Sequence, residues 1–119
     1  MRLDILQYIA RGCPRLDASN IAAYKPRDKI LAGKPEELLP RFHKILDDGH
    51  TIKVARALMI AERVSRGWEG KGWVRVKGEA EWLRAVYVLM DATEGVDQEH
   101  RYVRGAGFDE AWSHIPKLK

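Results

Sequence analysis

His50, Lys53 and Arg56 stand three residues apart in the stretch Asp47-Asp48-Gly49-His50-Thr51-Ile52-Lys53-Val54-Ala55-Arg56-Ala57-Leu58. An imidazole exchanges protons near neutral pH, and lysine and arginine side chains hold anionic oxygen. On a helix, side chains three residues apart project from neighbouring positions. Such a ridge suits a cofactor phosphate or an enolate oxygen, with His50 as the acid–base group. The same residues also read as a solvated helix face, because charged side chains are mostly exposed. Spacing alone does not separate the two readings.

His43, Asp47, Asp48 and His50 form a second constellation, of metal-ligand types. Gly49 interrupts it, and Asp48 is the natural cap of the helix that follows, so it reads as a capped helix start with solvated imidazoles. No metal is expected. Trp68, Trp73, Trp82 and Trp112 would suit an aromatic pocket, although tryptophans more often anchor a core or an interface. No phosphate-cradling G-x-x-x-x-G-K-[ST], no G-x-G-x-x-G after a strand and no G-x-S-x-G elbow occurs.

The element that positions the ridge is a predicted helix over about 48–66. Asp48 is its expected N-cap, and Val54, Leu58, Ala61 and Ser65 recur at the spacing of a buried stripe, broadened by Ala55 and Met59. Gly67-Trp68-Glu69-Gly70-Lys71-Gly72 ends it. Trp73-Val74-Arg75-Val76-Lys77 alternates, but a strand without a partner makes no sheet, so an extended loop is expected. A second helix is predicted over about 79–94, with Trp82, Leu83, Val86, Tyr87, Leu89 and Met90 covering most of its circumference and Gly95 as its stop.

Shorter elements flank these two. Residues 3–10 read as a short helix stopped by Gly12 and Pro14, and Asp17 or Ser19 caps a turn through Ile21-Ala22-Ala23-Tyr24. Pro35 suits a first helical turn, with Glu36 and Glu37 favourable beside the positive end of the helix dipole. Pro40 kinks or restarts that helix. Near the end, Asp109 caps a final turn that carries Ala111 and Trp112. The fold class is all-α, in an irregular single domain over 1–119.

A chain of 119 residues, 45% hydrophobic and 32% charged, is long and apolar enough to bury a core. Its 21 basic residues are interleaved with 17 acidic ones, so the net charge of +4 gives little support to nucleic-acid binding. Clustering of Arg63, Arg66, Lys71, Arg75 and Lys77 would be needed for that. Cys13 is the single cysteine, which excludes an internal disulfide and fits a reducing, cytoplasmic setting. No run approaches the length of a membrane span.

Three blocks carry a family resemblance. They are Arg11-Gly12-Cys13-Pro14-Arg15-Leu16-Asp17, the Asp47–Leu58 stretch, and Tyr102-Val103-Arg104-Gly105-Ala106-Gly107-Phe108-Asp109-Glu110-Ala111-Trp112, with Trp82-Leu83 between the last two. In order and relative placement they resemble the closing part of questin oxidase-like proteins. That family includes Baeyer–Villiger-type monooxygenases of aromatic polyketide pathways, which use NADPH and oxygen and lack a recognisable flavin-binding fingerprint. The resemblance therefore implies an oxidoreductase role, NADPH as cofactor and an aromatic polyketide as small-molecule partner. It also implies family members several times longer than this chain, with a pocket completed by the remainder.

Within the matching blocks, His50, Lys53 and Arg56 are the candidate catalytic residues, being both in the block and chemically competent. Asp47, Trp82 and Arg104 are the candidate substrate contacts. The competing reading is a non-catalytic helical module that self-associates or docks a longer chain through apolar surface, with Trp68, Trp73 or Leu31 in the exposed patch.

Overall fold

The structure, a computed structural model, describes residues 5, 9, 12, 13, 15, 17–96 and 108–113. The chain divides into two compact units, one of residues 17–96 and one formed by 1–16 with 97–119. The regular structure among the described residues is all helical, with no strand. In the first unit, α1 spans Ser19–Ala22, α2 Leu39–Phe42, α3 His50–Ser65 and α4 Gly78–Thr93, with 3-10 turns at Pro35–Leu38 and Arg66–Trp68. The two long helices fall where the hydrophobic periodicity places them. Trp73–Lys77 is a loop, as expected of a lone alternating segment.

Local signals explain most of the boundaries. Pro35 opens its 3-10 turn, and Pro40 lies in the first turn of α2, so it restarts a helix instead of kinking one. Asp17 accepts hydrogen bonds from the backbone N–H and the hydroxyl of Ser19 at 3.0 and 2.7 Å, fixing the start of α1. Those same bonds hold the Asp17 carboxyl below its usual range. At the N-terminus of α4 the Glu81 carboxylate accepts from the Lys77 N–H at 2.9 Å, and Glu69 accepts from the Gly78 N–H. Gly95 follows α4 with a φ of 73°, the left-handed conformation in which helices commonly end.

The α3 start differs from the expected one. The N-cap position is Gly49 instead of Asp48, and the capping carboxylate comes from Asp47: its two oxygens accept from the N–H groups of Gly49 at 2.7 Å and Thr51 at 3.0 Å. Gly49 makes this possible, because a φ of 86° turns the chain so that the carboxylate two residues back reaches the first turn. Asp48 pairs instead with the His50 ring.

Packing corrects the phase of the α3 stripe as well. Leu38, Phe42, Ala55, Val86, Tyr87 and Met90 form the core, with Ile52, Leu58 and Met59 packed against it. The buried positions of α3 are Thr51, Ala55 and Glu62, whereas Val54 and Ala61 are exposed. Of the expected stripe, Leu58 packs on the core together with the broadening positions Ala55 and Met59, whereas Val54 and Ala61 face outward. The stripe is thus rotated by about one residue, roughly 100° around the axis. α4 is buried on most sides, through Trp82, Ala85, Val86, Tyr87 and Met90, as its sequence requires.

Polar latches pin the irregular segment before α2 onto α4. The Tyr24 hydroxyl donates to Asp91 at 2.8 Å, and the Arg27 N–H donates to the same oxygen at 3.0 Å. Burial, then the Asp91 bond, pushes the Tyr24 phenol up. The Ala32 N–H donates to the fully buried Tyr87 hydroxyl at 2.8 Å. Arg41 bridges Asp28 and Glu94.

The second unit is described at few positions. Ile5 and Ile9 are helical, and the Gly12 N–H returns to the Ile9 carbonyl at 2.9 Å with a left-handed φ of 78°, consistent with a helix ending there. Residues Asp109–Trp112 form a 3-10 turn, but its N-cap is Phe108, with Asp109 already inside it. The rest of the expected 3–10 helix, the Trp112 side chain and Arg104 lie outside the described residues.

Candidate functional site

The N-terminal turn of α3 carries the candidate chemistry. The Asp47 cap and the left-handed Gly49 set the helix start, and His50 is its first residue. His50 Nδ1 is hydrogen-bonded to Asp48 Oδ1, with 57% of the imidazole side chain exposed. A carboxylate on Nδ1 orients the ring and leaves Nε2 as the proton-accepting atom of its neutral form. Lys53 and Arg56 are exposed on the same helix. Successive steps of three residues rotate about 60° backwards, so Arg56 lies roughly 120° from His50 around the axis. Lys53 is therefore the cation beside His50, and Arg56 belongs to the flank.

Asp47, expected as a substrate contact, is half-buried, and both of its oxygens serve the backbone of the α3 start. Of the His43, Asp47, Asp48 and His50 constellation, the structure joins Asp48 to His50 and gives Asp47 to the cap. Among the described residues, no group of three His, Cys, Asp or Glu side chains is arranged to hold a metal ion.

Trp82 lies elsewhere. It is buried in α4 and helps line an open cleft of about 200 Å³ with Glu62, Arg66, Glu69, Gly78 and Glu79. Its Nε1 is buried without a hydrogen-bond partner among the described residues. Glu62 is the buried acid of α3 and accepts from Arg66 Nη2 at 2.8 Å; that bond and the charge of Glu62 hold the Arg66 guanidinium above its usual range. Sequence reasoning passed over Glu62. Its signal was position, since it falls seven residues after Ala55 on the buried face. His50 and Trp82 do not line this cleft together.

The basic residues proposed for nucleic-acid contact are partly spent on ion pairs, with Arg66 bonded to Glu62 and near Glu79. No helix among the described residues is long and apolar enough to cross a membrane.

Comparison with known proteins gives the sequence that carries these residues a family. Residues 1–58 match the model of the family described as Questin oxidase-like, a span that includes Asp47, His50, Lys53 and Arg56. The chain is 33% identical over 120 residues to the Baeyer-Villiger oxidase ptaJ of Pestalotiopsis fici, covering 98% of this chain and 27% of that protein. It is 34% identical over 120 residues to the questin oxidase of Aspergillus fumigatus, covering 98% of this chain and 26% of the relative. Against the Baeyer-Villiger oxidase notM of an Aspergillus species, identity is 37% over 122 residues, with 97% and 29% covered. The chain thus spans about a quarter of the length of these curated relatives. No solved structure matches it. With nearly its whole length aligned to such relatives, the chain belongs to the questin oxidase-like family.

Proposed function

We propose that this chain supplies one wall of an oxygenating site that acts on a ketone of an aromatic polyketide. The observation that carries the reading is the oriented His50–Asp48 pair, with Lys53 one turn on, inside the segment that matches the family model. His50 moves the proton in this reading, through Nε2, and Lys53 holds an anionic oxygen of substrate or cofactor. Asp47 acts through the helix start by fixing where His50 stands. Trp82 and Arg104 remain proposed substrate contacts.

The Baeyer–Villiger reaction inserts one oxygen atom of O₂ beside a carbonyl and delivers the other as water, so two electrons and two protons must be provided. NADPH, proposed as the cofactor, supplies the hydride when bound. The donor set suits its phosphates in charge: Lys53 and Arg56 are both exposed cations on α3. The described cleft is lined by three carboxylates and one guanidinium, which suits a phosphate poorly. Lys53 and Arg56 would therefore hold the cofactor on the α3 surface.

The test is made in a family-length relative, the questin oxidase of Aspergillus fumigatus. Glutamine at the position aligned with His50 is expected to lower kcat by about 10²–10⁴-fold while leaving the Tm unchanged, the range for loss of an acid–base group. Unaltered turnover would remove His50 from the mechanism. A second reading, a docking module without chemistry of its own, is favoured by a specific observation: Trp68, Trp73 and Leu31 are all exposed, and Trp68 and Trp73 lie with ring centroids 6.1 Å apart.

A further inference from the structure

The outward side of α3 is apolar where a surface helix should be polar. With a rotation of about 100° per residue, Val54, Ala57, Ile60, Ala61 and Val64 fall within one arc of roughly 120°, opposite Ala55 and Glu62. All five are exposed, Ile60 at 50% and Val64 at 63%. Two further positions share the arc, His50 and Lys53. Just past the helix end in sequence stand Trp68 and its ring neighbour Trp73, which are 51% and 67% exposed. A helix apolar on both sides is ordinarily covered on both sides. Here α4 and the core cover one.

We infer that the outer face of α3 is the seam on which the remainder of a questin oxidase-like fold docks, and that docking encloses His50 and Lys53. Two observations select this occupant. The relatives hold about three quarters of their length beyond the segment matched here, ample chain to cover a face about 15 Å long. The charges oppose the rival occupant, a second copy of this chain. Every charged side chain on the exposed surface of α3 is basic, namely Lys53, Arg56 and Arg63 with His50 beside them, and its one acid, Glu62, is buried. Two copies meeting through this face would set cations against cations. The matching surface is apolar and rimmed by carboxylates.

The inference rests on the family membership behind the proposed function and adds the location of the missing wall. It also explains how groups so exposed could do chemistry. Covering the arc expels water from around His50 and Lys53, and electrostatic interactions strengthen in the drier site.

Thermal stability and mass test it without an activity readout. In the family-length questin oxidase of Aspergillus fumigatus, glutamate at the position aligned with Val64 should lower the Tm by at least about 3 °C, because it buries a charge. Glutamate at the position aligned with Ile30, which is 89% exposed on a different segment, should shift it by less than about 1 °C. In the 119-residue chain itself, Val64→Glu should move the Tm by less than about 2 °C, and light scattering should give a monomer with or without it. An unchanged Tm in the family-length protein overturns the seam. So does a dimer of the short chain that Val64→Glu dissolves, which would assign the face to a second copy. Either failure leaves the glutamine test at His50 standing, and failure of that test leaves the seam standing.

Discussion

On the inner face of α3, Ala55 is fully buried beside Val86, Tyr87 and Met90. Roughly 120° and 180° around the same helix, Ala61 and Val64 are exposed. The two faces have similar apolar content and differ in what lies against them. The inner one is closed by α4 and by the segment that Asp91, Tyr87 and Arg41 pin down. The outer one carries the family's block residues His50 and Lys53 among its apolar positions. Composition therefore says that both faces want a partner, and only the fold says which has one within these residues.

A matched pair of substitutions breaks or upholds that contrast with the largest effect. Ala55→Glu places a carboxylate where no water and no space exist, and is expected to cost about 3–5 kcal/mol, a large part of the stability of a small domain. Ala61→Glu makes the same chemical change on the outer face and is expected to stay within about 0.5 kcal/mol. Urea unfolding of the chain, comparing midpoints at constant slope, measures both. Equal losses would mean that the outer face is already covered.

The two-faced character of α3 is also why the sequence misleads on its stripe. Val54, Leu58, Ala61 and Ser65 satisfy helical periodicity as well as Thr51, Ala55, Leu58 and Glu62 do, and periodicity has no means of ranking two apolar arcs. Where one signal dominates, the reading holds. Pro35 and Pro40 open short turns, Gly95 closes α4, and the span of each long helix is right to within about two residues. The cap of α3 was legible as a carboxylate but not as which one, because the choice depends on the left-handed Gly49. Latches such as Tyr24–Asp91 join residues 67 apart, and no local pattern announces them. The candidate site stood out through family-like blocks and residue chemistry, whereas the Glu62–Arg66–Trp82 cleft required tertiary packing to appear.

A smaller effect sharpens the comparison at the end of α3 where the two faces meet. Asp47→Ala removes an acceptor from the Gly49 and Thr51 N–H groups, and Thr51 is buried, so water replaces the carboxylate poorly there. The expected loss is about 1 kcal/mol, typical of a cap. Asp48→Ala, which touches the exposed His50 ring, should cost less than about 0.5 kcal/mol. Urea midpoints of the two variants would invert if Asp48 were the cap. The same Asp47 change in a family-length relative should lower turnover, since it loosens the turn that holds His50.

The smallest expected effect concerns the rim of the covered side. Arg41 Nε donates to Glu94 at 3.0 Å, and Arg41 also pairs with Asp28, tying the segments before α2 and after α4 together. The hydrogen bond from Arg41 holds the Glu94 carboxyl below its usual range, and the partners in turn hold the guanidinium above its own. A carboxyl depressed in the folded state releases its proton more readily there than in the unfolded chain. Its contribution is therefore fully present above the ordinary glutamate value, about 4.3, and is lost as pH falls through that value and the lower folded one. With 43% of the Glu94 side chain exposed, solvent screening keeps the contribution to about 0.5 kcal/mol. Glu94→Gln should accordingly flatten the fall in stability below about pH 4.5 while leaving the Ala55 and Ala61 contrast at neutral pH intact. Stability that falls below pH 4 as steeply in Glu94→Gln as in the unaltered chain would show that the clamp holds nothing. The closure of the inner face would then rest on the apolar core and the Tyr87 and Asp91 latches.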